Sequence, residues 1–197
     1  MPIHDAATVI LLRKNGDETR VLMGQRGKSA VFMPGKFVFP GGRVDPQDYE
    51  VTAPDMVNPV CRARLEAAAT PELAAALLVA ARRELLEETG LNLDPLASLR
   101  FIFRAITPPK RPRRFDARFL MCDAGDVLDN LDDFSRAEDE LAHLQWVSVA
   151  EALTLDLPFV TRVVLAEVNA LASTSVSPEV VPFYEHSGPI GRIISLG

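Results

Sequence analysis

Apolar runs alternate with short polar turns in the first part of the chain. Residues 6–13 and 19–25 are rich in Val, Ile and Leu, and the segment 14–17 between them has turn-forming residues. This pattern predicts a β-hairpin. A short aromatic strand is predicted within residues 35–42, where a Pro-Gly-Gly turn follows it. Two adjacent glycines let the backbone adopt positive φ and approach a ligand closely.

A helical pattern follows at residues 71–88. Thr70-Pro71-Glu72 combines an N-cap, a first-turn proline and an early acid, and Gly90 stands where a left-handed C-cap is expected. We expect Leu78, Ala81 and Leu85 to face the core. The segment before this helix, residues 43–70, is mixed and contains three prolines, Pro46, Pro54 and Pro59.

The second half of the chain predicts further strands and a second helix. Residues 99–106 and 114–122 have the composition of paired strands, and a proline-rich basic segment joins them. The acidic residues 123–140 predict a loop with a helical turn, followed by a strand at 141–149 and a helix at 157–171. The tail, residues 181–197, is too apolar to float freely and too Gly-rich for a helix, so we expect it to pack on a neighbour or cover the site.

Composition limits the class of protein. The 197 residues are 48% apolar, which fits one domain spanning 1–197. A net charge of −6 argues against a general nucleic-acid or membrane-surface binder, so an anionic ligand needs a local basic pocket. The two cysteines, Cys61 and Cys122, have no metal-site spacing and are expected to be core residues. The N-terminal apolar run is too short to span a bilayer, and we expect a cytoplasmic protein.

Three carboxylates have a spacing that suits metal binding. Glu84, Glu87 and Glu88 stand at i, i+3 and i+4, so a helix brings them onto one face, where they repel one another. A divalent cation turns this repulsion into ligation, and oxygen ligands favour Mg²⁺ or Mn²⁺. Arg83 lies four residues before Glu87 and can hold its carboxylate in place. The alternative is a solvated, charged helix end with no role.

The segment RELLEETGL at residues 83–91, downstream of FPGG at 39–42, resembles the Nudix box. That box reads Gly, five residues, Glu, seven residues, then Arg-Glu-apolar-x-Glu-Glu-x-Gly-apolar, and its second half matches at every fixed position. Arg83 follows Gly42 by 41 positions instead of 14, so about 27 residues are inserted, within about 43–70. Asp45 or Asp48 can replace the first Glu of the box.

The upstream segment LMGQRGKSAVFMPGKFVFPGG resembles the coenzyme A diphosphatases of the same superfamily. Leu22, Arg26, Gly35 and residues 39–42 match that pattern, whereas Gly24, Gly27 and Val31 depart from it. A long insert after FPGG is also similar to the acyl-coenzyme A branch. Coenzyme A or its esters are therefore one substrate expectation, and nucleotide sugars, ADP-ribose or dinucleotides are the others.

The Nudix resemblance implies an α+β fold, an α/β/α sandwich with a mixed sheet, and hydrolysis of a diphosphate linked to another group. It implies Mg²⁺ or Mn²⁺ bound by the three carboxylates and a backbone carbonyl near Gly41 or Gly42, and it allows a homodimer. The general base is Glu84, slightly favoured, or else Glu138 or Glu140. The expected catalytic residues are Arg83, Glu84, Glu87, Glu88 and Glu140, and the expected substrate contacts are Arg26, Phe39, Gly41, Gly42 and Arg114.

Two features leave alternatives open. The basic segment 110–114 contacts substrate phosphates or is a solvated loop. The chain as a whole is an active diphosphatase, or a catalytically silent module that binds a nucleotide, or an α+β protein whose acidic helix end has no role. The intact carboxylate triplet favours the enzyme.

Overall fold

A single mixed β-sheet with helices on both faces forms the framework. The computed structural model describes residues 2–16, 18–52, 59–174, 176, 178–186 and 190–196; position 17 of the predicted turn and positions 187–189 of the tail lie outside these ranges. The strands are β1 (Ile3–Asn15), β2 (Glu18–Arg26), β3 (Phe37–Val38), β4 (Gly41–Arg43), β5 (Arg100–Ile106), β6 (Arg114–Asp123), β7 (Leu141–Ser148), β8 (Val181–Glu185) and β9 (Arg192–Leu196). The helices are α1 (Pro59–Ala67), α2 (Pro71–Thr89), α3 (Val149–Ala152) and α4 (Phe159–Leu171).

Strand β1 pairs with two different strands, β2 and β4, along the same edge. Its order is β3-β2-β1-β6-β5-β8-β9, with β4 paired to β1 and β7 paired to β2. β1 pairs with β2 near the hairpin, where Leu12 lies opposite Val21, and with β4 nearer its N-terminus, where Thr8 lies opposite Gly41. The strands β3 and β4 thus fill the gap between β2 and β1. The Pro-Gly-Gly turn lies in this gap, and the predicted β1–β2 hairpin is confirmed.

Two apolar layers pack against opposite faces of the sheet. One contains α1 and α2 side chains with inward residues of β1, β5 and β6, and the other is built around α4. The first face includes Ala7, Val9, Leu11, Leu78, Ala81 and Leu85, and the second includes Ile10, Phe103, Phe119, Met121, Val164 and Leu165. The predicted α/β/α sandwich with a mixed sheet is confirmed.

Helix α2 begins at the predicted Pro71 and ends one residue after the predicted Glu88, with both predicted caps in place. The Thr70 hydroxyl accepts a hydrogen bond from the Leu73 amide at 3.2 Å. At the other end Gly90 has φ of 75° and its amide donates to the Leu86 carbonyl at 2.8 Å. A residue with a side chain is strained at this left-handed cap, so Gly90 fixes where the helix stops. The carboxylates of the last two turns are positioned by this stop.

Two segments contain regular structure that the sequence pattern did not assign. Residues 43–70 contain a 3₁₀ turn (Pro46–Tyr49) and helix α1, whose Cys61 and Leu65 are buried. In the tail, β8 pairs in parallel with β5, and β9 pairs with β8. The Arg64 guanidinium of α1 donates to the backbone carbonyls of Pro178 and Glu179, which fastens the inserted helix to the chain entering β8. Across the described ranges, no helix is long and apolar enough to cross a membrane.

Candidate functional site

The Glu84 carboxylate lies directly over the Pro-Gly-Gly turn. A Cβ placed on Gly42 would meet the carboxyl carbon and oxygens of Glu84 at 2.4–2.5 Å, closer than any real contact. Glycine at position 42 is therefore what lets helix α2 bring this carboxylate onto the turn. The approach places the Glu84 carboxylate against the backbone of the turn, and carboxylate oxygens are suitable ligands for a hard cation.

Glu88 lies one helical turn after Glu84 and holds the same Pro-Gly-Gly turn in place. Its Oε2 accepts a hydrogen bond from the Gly41 amide at 2.7 Å, and the residue is only 2% exposed. Gly41 has φ of 151°, and a Cβ there would meet the Ala7 carbonyl oxygen at 2.4 Å. Only glycine fits between β1 and this carboxylate. The two glycines of the turn are thus required for different reasons.

Arg83 connects three carboxylates. Its Nη1 donates to Glu84 Oε1 at 2.8 Å and to Glu87 Oε2 at 3.0 Å, as its spacing to Glu87 predicted. Its Nε and Nη2 donate to the two Asp48 oxygens at 3.0 and 2.9 Å, and Nη2 also reaches the Arg43 carbonyl at 2.9 Å. The hydrogen bond to Asp48 is the largest contribution that raises the pKa of Arg83 above its usual value. Arg83 therefore orients the acidic face of α2.

Of the two acids that the sequence offers for the first Glu of the box, Asp48 is the one that Arg83 binds. It is 1% exposed and follows Gly42 by six positions, which is the spacing of that Glu in the usual pattern. The other candidate, Asp45, pairs instead with the half-exposed Arg43 at 2.7 Å. If Asp48 takes that place, the extra residues follow it, within the expected insertion of about 43–70. The spacing of six was the only sequence signal for it.

Burial raises the pKa of two of the three box carboxyls. Loss of solvation is the main cause for Glu84, whose pKa rises to about 6, and the Arg83 guanidinium opposes the shift. Loss of solvation also raises the pKa of Glu88 to about 8, against the hydrogen bond from Gly41. The negative charge of Glu140 raises both values further. The site therefore concentrates negative charge in a poorly solvated place.

This donor set fits a hard divalent cation. The available ligands are carboxylate oxygens and backbone carbonyls, and a dication would relieve the charge repulsion that burial creates. Within the described residues, no three His, Cys, Asp or Glu side chains converge as a ready-made metal cluster. The reason is visible in the contacts, because Arg83 holds Glu84 and Glu87 while the Gly41 amide holds Glu88. Ligation requires these carboxylates to exchange partners.

Two acids from the loop before β7 lie near the helix. The exposed Glu140 accepts a hydrogen bond from Arg26 Nη2 at 2.8 Å, and Arg26 Nε donates to the Phe32 carbonyl at 3.0 Å. Arg26 thus joins the loop after β2 to an acid that acts electrostatically on the box. Glu138 is exposed, and its backbone amide donates to the Glu87 carbonyl at 2.7 Å. Both acids remain candidates for the general base, as in the sequence analysis.

Other predicted residues lie elsewhere. Phe39 is 3% exposed and packs in the α4-side core, so its side chain has a structural position instead of a ligand-binding one. Arg114 donates to the backbone carbonyls of Thr107 and His186, which ties β6 to the tail. Residues 110–113 are exposed. Cys61 and Cys122 are buried, as expected.

Comparison with known proteins identifies the family. A family model described as NUDIX domain matches residues 70–168, about half of the chain. A NUDIX hydrolase from Alicyclobacillus acidocaldarius has 28% sequence identity and a TM-score of 0.68, over 89% of this chain and 97% of that one. No curated protein matches.

More distant solved structures share the fold. A C. elegans Ap4A hydrolase in a binary complex has 17% identity and a TM-score of 0.58, over 87% of this chain and 98% of that chain. The NUDIX domain of Shewanella oneidensis NrtR, solved with ADP ribose, has 13% identity and a TM-score of 0.54, over 86% and 88% of the two chains. Together with the carboxylate helix and its glycine turn, the family match shows that this chain belongs to the Nudix hydrolases.

Proposed function

We propose that the protein hydrolyses the diphosphate linkage of a nucleoside diphosphate joined to another group, with Mg²⁺ or Mn²⁺ bound at the acidic face of α2. The single observation that carries the proposal is the packing of Glu84 and Glu88 onto the Gly41-Gly42 turn. A nonfunctional helix end would be solvated, whereas Glu88 is almost completely buried. Burying a charged carboxylate is costly, and a bound dication at this face would offset that cost.

The residues of the chain have separate tasks in this proposal. Glu84, Glu87 and Glu88, with the Gly42 carbonyl, would hold the metal. A bound divalent ion offsets phosphate charge and lowers the pKa of a coordinated water. Arg83 keeps the carboxylates oriented through its contacts to Asp48 and the Arg43 carbonyl. These contacts come from the 3₁₀ turn and β4, so the site is supported from outside the helix.

Glu84 is our preferred general base. Its pKa of about 6 keeps it ionised at neutral pH while leaving it basic enough to accept a proton. Glu140 is the alternative, because it is exposed and its partner Arg26 can release it to an incoming substrate. Glu138 is the third candidate, and its backbone amide, which donates to the Glu87 carbonyl, places it next to the carboxylate helix.

Coenzyme A or an acyl-coenzyme A is the first substrate to test. The Arg26 position that matches the coenzyme A pattern lies beside the loop acid Glu140, where it can reach a phosphate. The exposed segment 110–113 joins β5 and β6, and it is a second source of positive charge in an acidic protein. ADP-ribose, nucleotide sugars and dinucleotides are the competing substrates, since fold relatives include an Ap4A hydrolase and a domain solved with ADP ribose.

The test is a hydrolysis panel with Mg²⁺ and Mn²⁺ on coenzyme A, acyl-coenzyme A, ADP-ribose, NADH and diadenosine polyphosphates. We expect one compound to be cleaved at its diphosphate, with Glu87→Gln reducing kcat by about 100-fold or more. Glu72→Gln, the same substitution in the first turn of the same helix, is the matched control and should retain activity. Undiminished turnover in Glu87→Gln would rule out the mechanism. Binding without turnover by the wild type would instead indicate a silent module.

A further inference from the structure

Arg118, on β6, has hydrogen-bond donors that the described chain does not use. Its side chain is only 3% exposed. Its Nη1 donates to Asp5 Oδ1 at 2.5 Å and to the Asp116 backbone carbonyl at 2.8 Å. No acceptor among the described residues hydrogen-bonds to its Nε or Nη2. An almost buried guanidinium thus keeps three N–H groups available.

These N–H groups are nearly buried but not fully shielded from water. In the described part of the chain, every side-chain nitrogen or oxygen fully shielded from water has a hydrogen-bond partner. Because Nε and Nη2 of Arg118 have none, the small exposed part of this side chain includes these atoms. Nearly buried polar atoms are almost always paired in proteins. The unpaired N–H groups of Arg118 therefore indicate a position where a ligand can accept hydrogen bonds.

The sheet register places Arg118 beside the metal-binding turn. Gly42 lies opposite Ala7, and Ala7 lies opposite Arg118, so the three positions form one row across β4, β1 and β6. Register partners point to the same face of a sheet, and here that is the face covered by α2. Two strand spacings separate Gly42 from Arg118, about 10 Å. A diphosphate held at the turn would therefore leave the group that it carries within reach of the arginine.

The charges around Arg118 select the ligand. Asp5 and Asp116 flank the guanidinium, at 2.5 and 3.3 Å from Nη1. Both Asp116 oxygens are bonded by Arg104, at 2.8 and 2.6 Å, whereas Asp5 is 35% exposed and has an oxygen to spare. Two carboxylates oppose binding of a second phosphate. An arginine donor next to a carboxylate acceptor suits an uncharged group that both donates and accepts hydrogen bonds.

We propose that Arg118 and Asp5 bind the uncharged nucleoside part of the substrate, through its base edge or its sugar hydroxyls. This inference rests on the proposed function for the identity of the substrate as a nucleoside diphosphate derivative. In this arrangement the diphosphate lies at the α2 carboxylates and the nucleoside lies over β1 and β6. Arg118 and Asp5 then determine which nucleoside is accepted, while the group beyond the diphosphate is free to vary.

The experiment measures binding without metal or turnover. Adenosine and ribose 5-phosphate are titrated separately into EDTA-treated protein, with binding followed by NMR or calorimetry. The variants are Arg118→Lys, which keeps the charge next to Asp5 but lacks the guanidinium donors, and Asp5→Asn, a partly exposed position with less risk to folding. Arg100→Lys is the matched control, because Arg100 is a nearly buried arginine on neighbouring β5 that donates to the Thr174 carbonyl.

We expect adenosine to bind the wild type and to bind about tenfold more weakly to at least one of the two site variants, with Arg100→Lys unchanged. Loss of ribose 5-phosphate binding in the same variants would identify the sugar hydroxyls, and loss for adenosine alone would identify the base edge. No adenosine binding by the wild type, or equal binding by all folded variants, would overturn the proposal. These binding measurements do not depend on hydrolysis. A failure of this proposal can therefore be distinguished from a failure of the proposed function.

Discussion

Arg83 and Asp48 form a two-point ion pair, with Nε to Oδ1 at 3.0 Å and Nη2 to Oδ2 at 2.9 Å. Asp48 is 1% exposed, and the pair joins the 3₁₀ turn to the catalytic helix. A parallel, bidentate contact of this kind fixes the direction of the guanidinium as well as its position. The remaining Arg83 donor, Nη1, is thereby aimed at Glu84 and Glu87.

Replacing Asp48 should weaken metal binding without removing any metal ligand. We expect Asp48→Asn to lower Mg²⁺ affinity or kcat/KM by about 10- to 100-fold, because support of the ligating carboxylates through Arg83 is lost. Metal titration and steady-state kinetics measure both quantities. Asp45→Asn is the control, since Asn caps the 3₁₀ turn as well as Asp does. Unchanged metal affinity in Asp48→Asn would show that Arg83 is positioned without it.

A methyl group at position 42 should separate the helix from the turn. A Cβ would lie 2.4 Å from the Glu84 carboxyl group, so the carboxylate must move by about an ångström. We expect Gly42→Ala to reduce turnover by about 100-fold, the order of loss that such a displacement causes. Gly27→Ala serves as control, because a Cβ there comes no nearer than 4.0 Å to its neighbours. Full activity of Gly42→Ala would argue against the close approach.

The metal-free protein should lose stability as pH rises through the neutral range. In the folded state the pKa of Glu84 is about 6 and that of Glu88 about 8, whereas both are ordinary carboxyls in the unfolded chain. At pH values between about 4.5 and 8, the folded state holds more protons than the unfolded state. The free energy of unfolding therefore falls as pH increases. We expect the Tm in EDTA to fall between pH 5.5 and 8.5.

Repeating the Tm measurement with Mg²⁺ and with a Glu88 variant tests whether these carboxyls cause the pH dependence. Mg²⁺ should raise the Tm more at pH 8.5 than at pH 5.5, because the cation replaces the protons that the carboxylates lose. Glu88→Gln should flatten the pH dependence in EDTA, since it removes the group with the larger shift. A Tm profile of that variant identical to the wild type would assign the pH dependence to other groups.

Cys122 should resist thiol reagents while the protein is folded. Burial raises the pKa of its thiol far above the usual value, so almost no thiolate is present near neutral pH. The native protein should give no rapid reaction of this residue with a disulfide reagent, and unfolding in denaturant should expose it. A Cys61→Ala variant assigns the signal to Cys122. Rapid native-state reaction in that variant would contradict its buried position.

Helix α2 could be predicted from the sequence because its end signals act locally. Thr70 and Gly90 determine the cap geometry within one turn of themselves, and neither depends on distant contacts. Helix α1 also begins at a proline, Pro59, but no glycine follows its last residue, and it buries Cys61 and Leu65 against the sheet. Its existence therefore depends on tertiary packing that sequence periodicity does not record.

Strand β8 was missed for a different reason. Pro182 argues against a strand because it cannot donate to a neighbouring strand. In the structure β5 pairs with Phe183 and Tyr184 only, so Pro182 lies beyond that pairing and needs no donor on that side. At the site, helix spacing predicted the carboxylate face, but the open donors of Arg118 follow from sheet register and could not be predicted from spacing along the chain.

The position of the insertion between Asp48 and Arg83 determines how well the site tolerates changes in the length of that segment. Arg83 and Asp48 are separated by 35 residues, against eight in the usual box, and the added loop-closure entropy grows only with the logarithm of length, about 1.3 kcal/mol for this increase. The pair holds both ends of the segment, so residues between them can be gained or lost at small thermodynamic cost. Nudix chains with longer or shorter insertions at this point can therefore keep the same catalytic geometry, and the segment is free to diverge while the acids on either side of it are not.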